Sequence, residues 1–215
     1  MAKSKEIEVP ALQLTTVEVE IIGDTPYISH SWSEKAKKQI RDKQLGKAKQ
    51  GKHDKKNPEY DFLESLYWMT EKPYSEPKDV TPDNVGKFVK EGKFGIPSIA
   101  FKNAFVRAAT DVGQNMTDMR RLLHVNNELC EIDGKPEMRE DMVVVGRSSA
   151  DLRYRGYFVG WKTTIQVEFN NALINEENIL NLINTAGYGV GVGDWRPEKN
   201  GQNGRFSIGG DVITL

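Results

Sequence analysis

The sequence is poor in the features that mark several familiar classes of protein. Its 215 residues include one cysteine, Cys130, which excludes an internal disulfide and a cysteine-cluster metal site. No apolar run approaches the length of a membrane span, and residues 1–10 lack the apolar core of a signal peptide. His30, His53 and His124 do not have the spacing of metal ligands. We therefore expect a soluble, cytoplasmic protein that uses no metal or cofactor, with Cys130 as a small buried hydrophobe.

The chain has almost no net charge, but its charges are unevenly distributed. Lysine and arginine number 30 and aspartate and glutamate 31, whereas residues 33–56 hold ten basic and three acidic residues. This segment has few apolar residues to bury, which predicts a long polar helix that is either solvated or ordered by a polyanion. So large a local excess favours nucleic acid. The candidate phosphate contacts are Lys35, Lys37, Lys38 and Arg41.

Glycine recurs at every second position from Gly187 to Gly193. If the segment is extended, its glycines share one face that a phosphate can approach, while the intervening valines point into a core. A glycine-rich turn that leads into a last strand is an equally good interpretation. The spacing matches neither dinucleotide-binding motif. Gly189 and Gly191 are candidate contacts, and Arg196 is expected to hold either a phosphate or an intramolecular carboxylate.

Alternating and helical hydrophobic patterns predict the core elements. Strands are expected over residues 15–22, 124–132, 161–169 and 204–215, and helices from Ser98, with an apolar face that reaches Val112, and over residues 176–186. Their order is the β-α-β-β-α-β order of a ferredoxin-like α+β domain, the architecture of RNA-recognition modules. Lys102 lies one turn into the first core helix, off its apolar face and near its electropositive start.

Two insertions are expected in this single domain of residues 1–215. The first covers residues 24–95 and combines the basic helix, a short helix at residues 58–69 and a surface loop over residues 70–95. The second, residues 133–158, is a hairpin between the middle strands. Its end interleaves arginines with tyrosine and phenylalanine, a pattern that suits a single strand but also an ordinary exposed hairpin. The candidate contacts there are Arg147, Arg153 and Arg155.

Three places in the chain resemble the repeat-associated mysterious protein (RAMP) superfamily, especially the backbone subunits that polymerise along guide RNA in CRISPR effector complexes. They are Thr25-Pro26 after the first strand, FGIPSIAFKNA at residues 94–104, and the glycine-rich loop before the last strand. The resemblance implies a ferredoxin-like fold, contacts from Lys102 and the glycines to a nucleic-acid backbone, and a hairpin that acts as a thumb on the bound strand. The compact form also looks like small proteins of tailed-phage genomes.

These observations lead to one main hypothesis and two alternatives. The main one is a non-enzymatic, sequence-independent binder of single-stranded RNA or DNA that assembles side by side along the strand. The first alternative is a metal-independent ribonuclease in which Asp24 and His30 move a proton. The second is a phage interaction module that mimics a backbone subunit and binds a host protein. Trp32 and Trp195 are expected to pack in an interface or in the core, with base stacking the less expected use.

Overall fold

The computed structural model describes residues 11–47, 56–145, 149–210 and 212–215. The strands within these ranges are β1 (Leu14–Gly23), β2 (Tyr27–Ser29), β3 (Gly95–Pro97), β4 (Leu123–Val125), β5 (Leu129–Asp133), β6 (Glu137–Val145), β7 (Ser149–Phe158), β8 (Lys162–Asn170), β9 (Phe206–Ile208) and β10 (Ile213–Thr214). The helices are α1 (Glu34–Gln44), α2 (Pro58–Glu64), α3 (Val85–Glu91), α4 (Ser98–Ala108), α5 (Met116–Leu122) and α6 (Glu176–Gly189). All strand pairs are antiparallel, and the α+β class is confirmed.

A seven-stranded sheet is built around β1 and β8. These strands pair along their length, from Leu14 opposite Asn170 to Ile22 opposite Lys162. Both β9 and β10 pair with the other edge of β1, both β4 and β5 pair with β8, and β3 extends the sheet beyond β5. The two clearest strand predictions, residues 15–22 and 161–169, are therefore confirmed as the centre of the fold.

The core lies between this sheet and two helices, α4 and α6. Val17, Val19 and Ile21 of β1 are fully buried on the helix side, and their even-numbered neighbours lie half-exposed on the opposite side. Phe101 of α4 meets Phe206 of β9 with ring centroids 5.5 Å apart. Alternation along β1 therefore separates a face that helices cover from a face that they leave open.

The glycine-rich stretch is not extended, contrary to the expectation from its period. Helix α6, predicted to end at Ala186, continues to Gly189. It packs so closely on β9 that a Cβ atom on Gly187 would lie 1.9 Å from the carbonyl oxygen of Phe206. Gly187 is therefore needed for close packing of a helix on a strand. Glycine at every second position does not distinguish this use from an extended segment. The valines that follow are buried, as expected: Val190 and Val192.

A second, three-stranded sheet has the order β2–β7–β6. Strands β6 and β7 form a hairpin between β5 and β8 in the chain, and helix α2 supports its base. The backbone N–H of Gly156 donates to Ser65 Oγ (2.9 Å), and a Cβ atom on Gly156 would lie 2.2 Å from a methyl carbon of Leu66. The hairpin is thus fixed at its base to the end of α2.

Several predicted boundaries are wrong. Residues 70–95, expected to be a surface loop, contain α3 and lead into β3, and α2 ends at Glu64 rather than at residue 69. The strand predicted over residues 124–132 divides into β4 and β5 around Asn127, whose φ is 66°. The closing strand divides into β9 and β10. Alternation of apolar residues does not reveal such breaks, because it continues on both sides of them.

Helix α4 follows its predicted apolar face until its last turn. The buried members are Phe101, Ala104, Phe105 and Ala108, but Val112 is exposed because the α-helix ends at Ala108 and a 3₁₀ turn follows. Ser98 is the first helical residue rather than the cap. Its hydroxyl donates to the carbonyl oxygen of Asn127 (2.6 Å), which ties the helix start to the β4–β5 break.

Candidate nucleic-acid interface

Helix α1 projects from the fold and is attached mainly through its first turn. Ser33 caps it, because Ser33 Oγ accepts a hydrogen bond from the N–H of Ala36 (3.1 Å). The N–H of Glu34 donates to the buried carboxylate of Glu64 (3.0 Å). None of the described side chains of α1 is buried. A helix without a buried face is either exposed to solvent or covered when a partner binds.

The exposed cations of α1 are the part of the sequence-predicted site that remains accessible. Lys38 and Arg41 take part in none of the ion pairs found among the described residues. Lys37 lies 2.7 Å from Glu34 within the same helix, an exposed pair that a phosphate can replace. The side chain of Lys35 and residues 48–55 of the basic segment lie outside the described part of the chain.

Two of the hairpin arginines predicted to contact nucleic acid have carboxylate partners within the protein: Arg153 and Arg155. Arg155 is only 7% exposed and forms ion pairs with Asp141 (3.1 Å) and Asp194 (3.2 Å). Its charge is therefore used within the protein. Arg153 is more accessible but lies 3.1 Å from Asp151, and Arg147 is outside the described residues.

The predicted glycine contacts do not form an open phosphate cradle. Gly191 has a φ of 71°, but a Cβ atom there would lie 2.9 Å from both the Gly204 carbonyl oxygen and Pro197 Cδ. The face expected for a ligand is thus occupied by the protein's own chain. Gly189 closes α6, and the nearest group to its open side is the carboxylate of Asp111, which repels a phosphate.

Two further predicted cations also have partners inside the protein. Arg196 Nη2 lies 2.8 Å from the Glu198 carboxylate, and Nη1 donates to the Gly193 carbonyl oxygen (3.0 Å). The structure thus favours the intramolecular alternative for this arginine. Lys102 Nζ donates to His124 Nδ1 (3.1 Å) instead of standing free at the start of α4.

A histidine–aspartate pair lies beside β2. His30 Nδ1 is 2.8 Å from Asp194 Oδ2, the same oxygen that Arg155 approaches. Burial by itself raises the pKa of Asp194, but the hydrogen bond from His30 and the nearby positive charges outweigh it and lower that pKa below its usual value. Asp24, the residue predicted to act with His30, instead accepts a hydrogen bond from Ser207 Oγ (2.8 Å). His30 and Asp194 are 164 positions apart in the sequence, so no local motif reveals their pairing.

Two tryptophans near this pair are exposed, which excludes the core-packing alternative for them. Trp32 is 60% exposed and directly precedes the cap of α1, and Trp195 is 45% exposed and follows Asp194. Trp195 has a φ of 55°, a left-handed conformation that strains a bulky residue and that is commoner at functional sites. Both rings are available for stacking, the use that the sequence made less expected.

The remaining features give less support for a ligand site. A cavity of about 440 Å³ is lined by three lysines and three acidic residues, none of them a predicted contact: Lys93, Lys135, Lys162, Glu20, Glu131 and Asp133. Cys130 is buried, which raises the pKa of its thiol to about 11 and fits the predicted packing role. The described residues contain no cluster of three or more metal-binding side chains. None of the described helices combines the length and apolar character needed to cross a bilayer.

Comparison with known proteins does not extend these observations, since no protein-family model and no curated protein matches the chain.

Proposed function

We propose that the protein binds single-stranded nucleic acid without sequence preference and assembles side by side along the strand. The observation that carries this proposal is the exposed cationic surface of α1, where Lys37, Lys38 and Arg41 follow the exposed ring of Trp32. Phosphates would neutralise the cations, and a base stacked on Trp32 would add roughly 1–3 kcal/mol. We place this activity in the cytoplasm, because a lone buried thiol suits a reducing compartment.

A ferredoxin-like core related to the RAMP superfamily is part of the same proposal. The strand order β9–β1–β8–β4, with α4 and α6 on one face, supports it. So does the hairpin of β6 and β7 between β5 and β8. The resemblance implies that Lys102 and the glycines contact nucleic acid, but in this structure they face groups of the protein itself. The interface proposed here therefore depends on α1 instead.

We propose that the nucleic-acid strand binds to α1 rather than to the open face of the large sheet. RNA-recognition modules bind with aromatic rings on that face. In this protein the corresponding positions include Glu18 and Glu20 of β1 and Glu168 of β8. Carboxylates at these positions repel phosphates, which leaves the basic helix as the better surface.

Fluorescence anisotropy with labelled single-stranded RNA, single-stranded DNA and duplex DNA over a range of salt concentrations tests this proposal. Replacing Lys38 and Arg41 together by Gln should weaken binding to all sequences equally. It should also reduce the slope of log K against log salt by about 1.4, or about 0.7 for each lost phosphate contact. The control replaces Lys87 and Lys90 of α3 by Gln and should leave the slope unchanged. An unaltered slope in the α1 variant contradicts the proposal.

A metal-independent ribonuclease is the second candidate, favoured by the contact of His30 with Asp194. A histidine oriented by a carboxylate through Nδ1 can use Nε2 as a general base. Incubation of labelled RNA with the wild-type protein and with His30→Asn separates the two functions. Cleavage that disappears in the variant supports the enzyme, and intact RNA with the wild-type protein supports binding alone.

A further inference from the structure

The open face of the large sheet is acidic. It carries Glu18 and Glu20 of β1 and Glu168 of β8, on neighbouring strands that pair Thr16 with Glu168 and Glu18 with Gln166. Glu18 accepts a hydrogen bond from Gln166 (3.0 Å). Neither Glu20 nor Glu168 takes part in an ion pair with any described residue. Lys162 of β8 lies on the same face and lines the cavity beside Glu20 together with Lys93 and Lys135, so the negative charge is partly balanced there. Glu18 and Glu168 lie outside that cavity and make this other part of the face the more acidic one.

Aliphatic side chains border these carboxylates. Ile213 of β10 pairs directly with Glu18 and is 55% exposed, and cross-strand partners share a face of the sheet. Leu14 lies on the same side of β1 as Glu18, because side chains alternate along a strand, and it is exposed as well. A partner that suits this surface is cationic and has an apolar side chain beside its charges.

Helix α1 has this complementary chemistry. Arg41 follows Lys37 by four residues and Lys38 by three, spacings that place side chains about 5–6 Å from each other on a helix. Glu18 and Glu20, two residues apart on one strand, are about 7 Å apart, a similar spacing. Ile40 of α1 is exposed three residues after Lys37, so it lies beside Lys37 on the helix surface and can contact Ile213. The helix therefore matches the acidic face in charge, spacing and apolar content.

The two surfaces do not meet within one molecule. The first turn of α1 is fixed to Glu64 at the end of α2, beside the second sheet, and no significant contact joins α1 to β1 or β8. The acidic face of one molecule is thus available to the helix of another. The match in charge is between two parts of the same chain, so a second copy is the partner that it specifies.

We propose that α1 of one molecule docks on the acidic sheet face of a second copy of this chain. Because the contact joins two different surfaces, each docked pair retains one free helix and one free sheet face, and association continues head to tail. The interaction requires no nucleic acid, so it goes beyond the proposed function. Its electrostatic origin makes it salt-sensitive.

Sedimentation of the full chain, freed of nucleic acid, tests the proposal at about 50 mM and about 500 mM NaCl. A helix variant carries Lys38→Glu and Arg41→Glu, a face variant carries Glu18→Lys and Glu20→Lys, and a swap variant carries all four changes. The wild-type protein should self-associate at low salt. Each two-site variant, and the wild-type protein at high salt, should associate at least about tenfold more weakly. The swap variant, which has the wild-type net charge, should recover association.

A matched control separates this contact from general charge effects. Lys87→Glu and Lys90→Glu on α3 change the net charge as much as the helix variant does, and they should leave self-association intact. Circular dichroism and thermal unfolding verify that each variant is folded. A wild-type protein that remains monomeric at low salt up to about 0.1 mM overturns the proposal, and so does a folded swap variant that does not associate.

Discussion

Arg155 shows how distant parts of the chain decide the use of one basic side chain. Its sequence neighbours, two tyrosines and a glycine, are typical of a surface that binds a nucleic-acid strand. In the fold it is enclosed by Asp141 on the facing strand of the hairpin and by Asp194 in the loop after α6. A buried arginine with two carboxylate partners connects these elements. Its position therefore fixes the hairpin to the glycine-rich loop.

The ionisation of Asp194 should make the stability of this junction dependent on pH. Its pKa is lower in the folded protein than in an unfolded chain, so the ionised form stabilises the fold at neutral pH. This contribution is lost as the pH falls below about 4, toward the folded-state pKa. Asp194→Asn should lower the free energy of unfolding at pH 7 by about 1–3 kcal/mol. Urea denaturation monitored by circular dichroism measures the change.

The same titration at about pH 3.5 provides the control for Asp194. The Asp194 carboxylate of the unfolded chain then binds protons more readily than that of the folded protein, so part of the stabilisation is lost and the difference between wild type and Asp194→Asn should shrink. If the difference is equally large at both pH values, the side chain contributes through packing or neutral hydrogen bonds, and the electrostatic explanation is wrong.

Two glycines of α6 allow a matched test of how this helix packs. Gly→Ala in a helix normally stabilises by about 0.5–1 kcal/mol, because alanine loses less backbone entropy on folding. Gly189→Ala should follow this rule, since its Cβ atom would meet only Asp111 at 3.7 Å. Gly187→Ala should instead destabilise by about 1–3 kcal/mol, because the helix must move away from the carbonyl of Phe206. Thermal and urea unfolding of both variants gives the comparison.

Opposite effects at the two glycines would establish close packing of α6 on β9. Equal stabilisation at both positions would show that α6 and β9 do not approach as closely as described. The same pair also tests the predicted role of Gly189 as a nucleic-acid contact. A Gly189→Ala variant with unchanged affinity for single strands would remove that residue from the interface.

The elements predicted well from the sequence are those whose packing leaves a local periodic record. Strands β1 and β8 have one buried face each, and α1 begins at a hydroxyl cap, so alternation or capping reveals them. The end of α6 could not be predicted this way, because Gly187 reflects contact with β9, about 20 residues further along the chain. The His30–Asp194 pair has the same origin in tertiary structure. Local sequence therefore predicted β1, β8 and the basic helix better than it predicted the contacts between distant parts of the chain.

The molecule as a whole separates charges that nearly cancel in its composition. Basic side chains lie exposed on α1, and carboxylates lie on the open face of the large sheet. A net charge of −1 thus conceals one surface that attracts polyanions and another that repels them. The two proposals together give α1 two partners, a nucleic-acid strand and the acidic face of another copy.

Because both partners require the same cations, binding a strand should exclude docking between copies. A single strand of about eight nucleotides is short enough to hold one molecule. In excess at low salt, it should convert self-associated protein into complexes of one protein and one strand. An uncharged morpholino strand of the same sequence should leave the association intact, because it lacks phosphates. Sedimentation velocity with a labelled strand distinguishes these outcomes. Labelled strand that sediments with undiminished oligomers would show that the strand and the second copy do not compete for the same cations of α1.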